Sequence, residues 1–197
     1  MSDSAPTRSH ASLSEPSAWV KRFAPLVAAG ARVLDVACGH GRHARYFAAR
    51  GANVLAVDRD ATALAGLAGI AGIETRVADL ESGAWPLAGE RFDAIVVANY
   101  LHRPLLPALL RALAGDGVLL YETFARGNEA YGRPTNPDFL LEQDELLRLA
   151  QDRLTVIAFE QGLVSTTGST AVVQRLAAAG MGRPWPPPVL GAATERS

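Results

Sequence analysis

Residues 33–42 read VLDVACGHGR: an apolar run, a turn holding two glycines, and the first residue of a helical pattern. Gly39 and Gly41 remove the side chains that would keep a ligand from the backbone and that would block a tight turn. The helix start adds N–H groups with no partner inside the helix. By itself such a turn is as readily a plain strand-to-helix connection. Its meaning depends on what surrounds it.

Working outward, apolar runs alternate with helical patterns. Strands are expected at Arg32–Ala37, Asn53–Asp58, Glu74–Asp79, Phe92–Ala98 and Gly117–Thr123. Most are apolar nearly throughout, as strands covered on both faces are. Helices are expected at Arg42–Arg50, ended by Gly51, at Asp60–Leu67, with Asp60 as its cap, and at Arg103–Leu113. Pro104 and Pro107 fall in the first turns of the last, where a missing N–H costs least. This rhythm predicts an α/β chain with a Rossmann-like, doubly wound, mostly parallel sheet. A helix near Gln143–Gln151 then leads to two β-rich runs, Leu154–Glu160 and Thr170–Arg175. The connection between them, Gly162–Ser169, is too short for a parallel crossover, so the pair should be antiparallel. Residues 1–14 read as a mobile leader, 15–182 as one domain, and 183–197 as a Pro-rich irregular tail.

Three polar residues share the carboxyl edge of this sheet. Asp58 ends the second strand, with Arg59 beside it, and Asp79 ends the third, with Leu80 after it. A carboxylate at the first position suits the two hydroxyls of a ribose, and one at the second an exocyclic adenine amine, with Leu80 over the ring. Asn99 ends the fourth strand. Singly, each is an ordinary strand-terminating turn residue. Together with the glycine turn they line the edge where open α/β sheets bind ligands, and they point to one nucleoside site.

The chain has 197 residues, 49% of them hydrophobic, which suits one domain with a full core. Lys and Arg number 19 against 20 Asp and Glu, a net charge of −1. No basic stripe recurs, so no nucleic-acid partner is expected. Cys38 is the sole cysteine, so no intrachain disulfide forms. No apolar run reaches the roughly 18 residues of a membrane span, and the N-terminus lacks a signal peptide's apolar core, so the expected location is cytoplasmic without membrane contact. His40 and His43 form no metal-ligand spacing with Cys38 or a carboxylate, and no metal is expected.

With these motifs in place, residues from about Trp19 to Arg175 resemble class I S-adenosylmethionine-dependent methyltransferases. VLDVACGHGR stands as the first motif, VLAVD as the second, RVADL as the third and RFDAIVVANYLH as the fourth. The stretch from LHRPLLPALL onward is most similar to small bacterial tellurite-resistance-like methyltransferases. The resemblance implies a seven-stranded sheet with an antiparallel C-terminal strand, and S-adenosyl-L-methionine as cofactor. It implies contacts from Asp35 and the turn Ala37, Cys38, Gly39 and Gly41 to the methionyl part, from Asp58 to the ribose and from Asp79 to the adenine. Ala37 departs from the family's DxGxGxG pattern, which has glycine there.

The acceptor side is expected to hold a small molecule beside Asn99–Arg103, with Tyr100, His102 and Glu122 as candidate catalytic groups. His102 reads equally as a general base or as a capping residue before a helix. ANYLH lacks the proline of the amine-methylating motif, so an amide or nucleobase acceptor is unsupported. The polar, aromatic loop Phe124–Pro137 reads equally as a substrate lid or as a surface crossover. Trp19 and Phe23 either close the site from the other side or, by their spacing of four, pack a helix on the sheet. Two other functions fit the same pattern. One is a cofactor-binding protein without catalysis. The other is a nicotinamide oxidoreductase, since Gly39-x-Gly41-x-x-Ala44 matches a relaxed dinucleotide fingerprint with Asp58 near the expected distance. Oligomeric state is open.

Overall fold

Strands buried on both faces must be apolar at odd and even positions alike, and this chain is built that way. A computed structural model describes residues 15–166 and 169–187. The expected leader, and the tail beyond 187, lie outside these. The elements are α1 (Ala18–Phe23), β1 (Arg32–Val36), α2 (Arg42–Ala49), β2 (Asn53–Asp58), α3 (Ala61–Ala65), β3 (Ile73–Val77), β4 (Phe92–Ala98), α4 (Leu106–Ala112), β5 (Leu113–Phe124), α5 (Glu145–Ala150), β6 (Leu154–Thr166) and β7 (Ser169–Gly180). One seven-stranded sheet runs β3-β2-β1-β4-β5-β7-β6. The pairs from β3 to β5 are parallel, and β7 is antiparallel to both β5 and β6. The order reverses between β1 and β4, which opens the crevice at their carboxyl ends.

Alternate residues feed two cores. Val33, Val54, Ala56, Val96 and Leu120 face Trp19 and Phe23 of α1 and Phe47 of α2. Leu34, Val36, Leu55, Val57, Ile95 and Leu119 face Leu106 and Leu109 of α4 and Leu146 of α5. Each such side chain contributes about 1.5–3 kcal/mol by leaving water. Trp19 and Phe23 are thus core residues, and the Trp19 indole N–H donates to the Leu176 carbonyl across the sheet (3.3 Å). Of the two readings for this pair, helix packing is the one observed.

The ends of elements differ from expectation where tertiary contacts override local signals. β6 continues through Gly162 to Thr166, and β7 starts at Ser169, so most of the expected Gly162–Ser169 connection is strand. Gly162 pairs with Val173 at φ +136°, a conformation a glycine adopts without penalty, so the strand runs on through it. The expected helix Arg103–Leu113 opens as a 3₁₀ turn over Arg103–Leu105, and its last residue already belongs to β5. Asp60 caps α3 as read, accepting from the N–H groups of Thr62 (2.8 Å) and Ala63 (3.2 Å).

Gly180 ends β7 where a Cβ would overlap the Gly115 carbonyl, a backbone group with no freedom to yield. Gly180→Ala is therefore expected to destabilise the fold by about 1–3 kcal/mol, as overpacking does. Urea unfolding followed by circular dichroism measures it, and an unchanged midpoint would refute the close approach.

Candidate functional site

The turn after β1 is held by its own backbone and by the neighbouring strand. Cys38 N–H donates to the Val57 carbonyl (3.0 Å) and Gly41 N–H to that of Cys38 (2.9 Å). Ala37, Gly39 and Gly41 all have left-handed backbones, with φ of +50°, +55° and +72°. Glycine adopts that region freely, whereas alanine loses roughly 1–2 kcal/mol to the contact of its Cβ with the carbonyl. Ala37→Gly is accordingly expected to stabilise the chain by up to about 1 kcal/mol, the relief being offset in part by the greater freedom of an unfolded glycine. A denaturation midpoint that falls would contradict it.

Gly41 begins α2 and has no side chain to cap it. Asp35 supplies the acceptor from β1: its Oδ2 takes the Ala44 N–H at 2.9 Å, at the third residue of the helix. Asp35 is buried, and burial raises its carboxyl to about 7. It sits beneath the turn. His43, on the first turn of α2, is buried too, and burial lowers its imidazole to about 3. It is therefore neutral, and its Nε2 accepts the Ser17 N–H (3.2 Å) just ahead of α1. Cys38 packs on the core beside α2, where burial pushes its thiol above the usual range and keeps it protonated.

Asp58 is the hinge of the site. Its Oδ2 accepts the Gly39 N–H (2.8 Å) and its Oδ1 the Asp60 N–H (2.9 Å). Each carboxylate oxygen keeps a second lone pair for a ligand hydroxyl. Asp79 is fully exposed, and its carboxyl is held below the usual range chiefly by the Glu81 N–H, which donates to its Oδ1 (2.9 Å). Ala37, Asp58, Arg59, Ala78, Asp79, Leu80, Glu81 and Tyr100 line one open cleft of about 160 Å³. Five of the expected cofactor residues thus share one cleft. Its donors and acceptors suit a nucleoside: paired lone pairs at Asp58, an exposed carboxylate at Asp79, and apolar Leu80 between. Asp35, Cys38, Gly39 and Gly41 lie under or behind it.

A second cleft adjoins the first and shares Glu81 and Tyr100 with it. Its other lining residues are Asn99, Leu101, Thr123, Phe124, Pro134 and Phe139. Asn99 takes φ +57°, which asparagine tolerates better than most residues, and its N–H donates to the Glu122 carbonyl (2.9 Å). Tyr100 is fixed from behind by the Tyr121 hydroxyl, which donates to its carbonyl (3.0 Å). The Tyr100 hydroxyl is itself buried without a hydrogen bond of acceptable geometry among the described residues. Burial first, and the Glu81 carboxylate second, push its ionisation above the usual tyrosine range.

Of the other two candidate catalytic residues, Glu122 is buried against Arg175 (Oε2 to Nε, 2.7 Å), and His102 precedes the 3₁₀ turn. Neither lines either of the two clefts described above. Glu81 and Phe139 were not foreseen, whereas Phe124 and Pro134 belong to the loop read as a lid or a crossover. Glu81 had a legible signal, since an Asp two residues upstream readily turns the chain through its own side chain. The loop Phe124–Pro137 is fastened as a wall. Buried Asn128 donates to the carbonyls of Gly132 (3.4 Å) and Pro134 (3.2 Å), and accepts the Val172 N–H (3.2 Å). Beyond it, Arg103 grips the carbonyls of Asp138 (2.9 Å) and Leu140 (2.8 Å) on both sides of Phe139, and pairs with Glu145. Among the described residues no cluster of His, Cys, Asp and Glu is arranged to hold a metal, and no helix is long and apolar enough to cross a membrane.

Residues 33–117 match the family model described as a methyltransferase domain. No curated protein sequence matches the chain. Among solved structures, TehB from Haemophilus influenzae superposes with a TM-score of 0.67 at 18% identity, over 82% of this chain and 60% of its own length. The chain thus spans about three-fifths of that relative. A TehB-like S-adenosylmethionine-dependent methyltransferase from Corynebacterium glutamicum gives 0.60 at 21% identity, over 82% and 86% of the two chains. An S-adenosylmethionine-dependent methyltransferase from Methanosarcina mazei gives 0.64 at 16%, over 84% and 98%. The resemblance read from the motifs stands. Residues 33–117 thus match a methyltransferase domain, and the chain shares its fold with solved S-adenosylmethionine-dependent methyltransferases.

Proposed function

We propose that this methyltransferase domain transfers a methyl group to a small molecule seated in the second cleft. The observation that carries the reading is the junction of the two clefts at Tyr100 and Glu81. One cleft fits a nucleoside, and the other opens beside it with an apolar wall. In this reading Asp58 holds the ribose hydroxyls, Asp79 the adenine amine, and Leu80 covers the ring. Bound S-adenosylmethionine supplies an activated methyl group. The protein's part is to place the acceptor in line with it, and orientation alone accounts for much of such an acceleration. Phe124 and Phe139 exclude water from the acceptor, and the Tyr100 hydroxyl donates a hydrogen bond at the junction. The turn of residues 37–41 carries the methionyl end, with Asp35 positioning it from below.

The test is transfer of radiolabelled methyl from S-adenosylmethionine to a panel of small nucleophiles, alongside calorimetric binding of S-adenosylhomocysteine. Binding together with transfer is the expected result. Binding without transfer to any acceptor would favour a non-catalytic cofactor-binding protein, and tight NAD binding with no S-adenosylhomocysteine affinity would favour a nicotinamide enzyme.

A further inference from the structure

The lining of the second cleft constrains what can occupy it. Its walls are Leu101, Phe124, Pro134 and Phe139, and Glu81 is the only charged side chain among the lining residues. No lysine or arginine lines it. The Arg103 guanidinium is spent on Glu145 and on the carbonyls of Asp138 and Leu140, and that of Arg126 on Glu142. An anion entering here would meet the Glu81 carboxylate with no cation in the cleft's own lining, the Arg59 guanidinium belonging to the adjoining cleft, so oxyanions and carboxylate-bearing acceptors are disfavoured. Buried hydroxyls in folded proteins almost always have a partner, and the Tyr100 hydroxyl has none of acceptable geometry among the described residues. Tyr100 and Glu81 both line the two clefts, the hydroxyl a donor just beneath the surface and the Glu81 carboxylate beside it an acceptor. A group that fits both must accept one hydrogen bond and donate another, as S–H, O–H and N–H groups do.

The base available decides among these. A carboxylate is a weak base, and a thiol gives up its proton far more readily than an alcohol and somewhat more readily than a phenol. An amine of ordinary basicity enters as a cation whose nitrogen has no free lone pair. We propose, building on the methyltransferase reading above, that the acceptor is a small, uncharged, largely apolar thiol. Its apolar body lies against Phe124 and Phe139, and its sulfur lies between Tyr100 and Glu81. The Glu81 carboxylate takes the S–H proton, the bonding pair stays on sulfur, and the Tyr100 hydroxyl donates to the thiolate so formed.

The experiment is calorimetry on the whole chain loaded with S-adenosylhomocysteine, titrated with phenylmethanethiol and separately with phenylacetate, which carries a carboxylate on the same ring. The thiol is expected to bind at least tenfold more tightly. Phe139→Ala should weaken the thiol at least tenfold and leave S-adenosylhomocysteine affinity unchanged, since Phe139 lines only the second cleft. Glu81→Gln should improve phenylacetate binding at least tenfold. Absence of thiol binding, phenylacetate binding as tight as the thiol's, or thiol affinity indifferent to both Phe139→Ala and Tyr100→Phe would overturn the proposal. Failure of S-adenosylhomocysteine itself to bind is a different result, and it removes the methyltransferase reading on which the acceptor assignment stands.

Discussion

Replacing Asp58 with alanine is expected to weaken S-adenosylhomocysteine binding by about two to four orders of magnitude. Two hydrogen bonds from ribose hydroxyls to a charged acceptor contribute roughly 1.5–3 kcal/mol each, and every 1.4 kcal/mol is a factor of ten. The substitution also strips the acceptors from the Gly39 and Asp60 N–H groups, so the glycine turn and the start of α3 lose their shared anchor. Asp58→Asn separates the two effects. It keeps the shape but turns an NH₂ toward one backbone N–H, so it should bind little better than alanine. Asp79→Ala should cost much less, because that carboxylate is exposed and its described partners lie on its own turn. Calorimetry on the three variants measures the order. Unchanged binding in Asp58→Ala would remove the nucleoside site from this edge.

The first cleft was legible in the sequence because its parts are local. Gly39, Asp58 and Asp79 each stand at or just past the carboxyl end of a parallel strand, and parallel strands bring their ends to one edge whatever the loops do. The second cleft was legible at Asn99–Leu101 and, as one of two readings, in the loop that starts at Phe124. Its remaining walls come from β5, from Pro134 and from Phe139, and nothing in their spacing says they meet. They meet because Asn128 folds the intervening loop on itself and Arg103 pins the two carbonyls around Phe139. Glu122 illustrates a related limit. It ends β5 as expected, but side chains alternate along a strand. Thr123 therefore reaches the cleft while Glu122 turns to Arg175 on β7, a partner more than fifty residues away that no local pattern announces. Gly162 misled in the opposite direction, since a glycine that reads as a loop is here a strand residue paired to Val173.

Asp35 and His43 lie at opposite ends of one short stretch under the cofactor turn, and burial drives them in opposite directions. The Asp35 carboxyl is raised to about 7 from an ordinary 3.8, and the His43 imidazole is lowered to about 3 from 6.5. Between about pH 3.8 and 7 the folded chain holds a proton on Asp35 that the unfolded chain has released, so this group's contribution to stability falls as pH rises. Between about pH 3 and 6.5 the unfolded chain holds a proton on His43 that the folded chain excludes, so that contribution rises with pH. Each slope is about 1.4 kcal/mol per pH unit. Over the shared window from roughly pH 4 to 6.5 the two cancel, and the turn is buffered against acid. Breaking either half should expose the other. Asp35→Asn is expected to lose on the order of 4 kcal/mol relative to wild type between pH 6.5 and 4, because only the histidine term remains. His43→Gln keeps an acceptor for the Ser17 N–H, and should gain a comparable amount relative to wild type over the same fall in pH. Urea unfolding from pH 4 to 7.5 reads both as difference curves, in which the surface carboxylates common to all three proteins drop out. Parallel curves for the three would mean that neither group titrates differently in the folded state, and would leave Asp35 as a helix cap alone. Opposite slopes would show that the carboxyl beneath the cofactor turn is kept neutral at mildly acidic pH, where a charge would weaken the packing on which the turn rests.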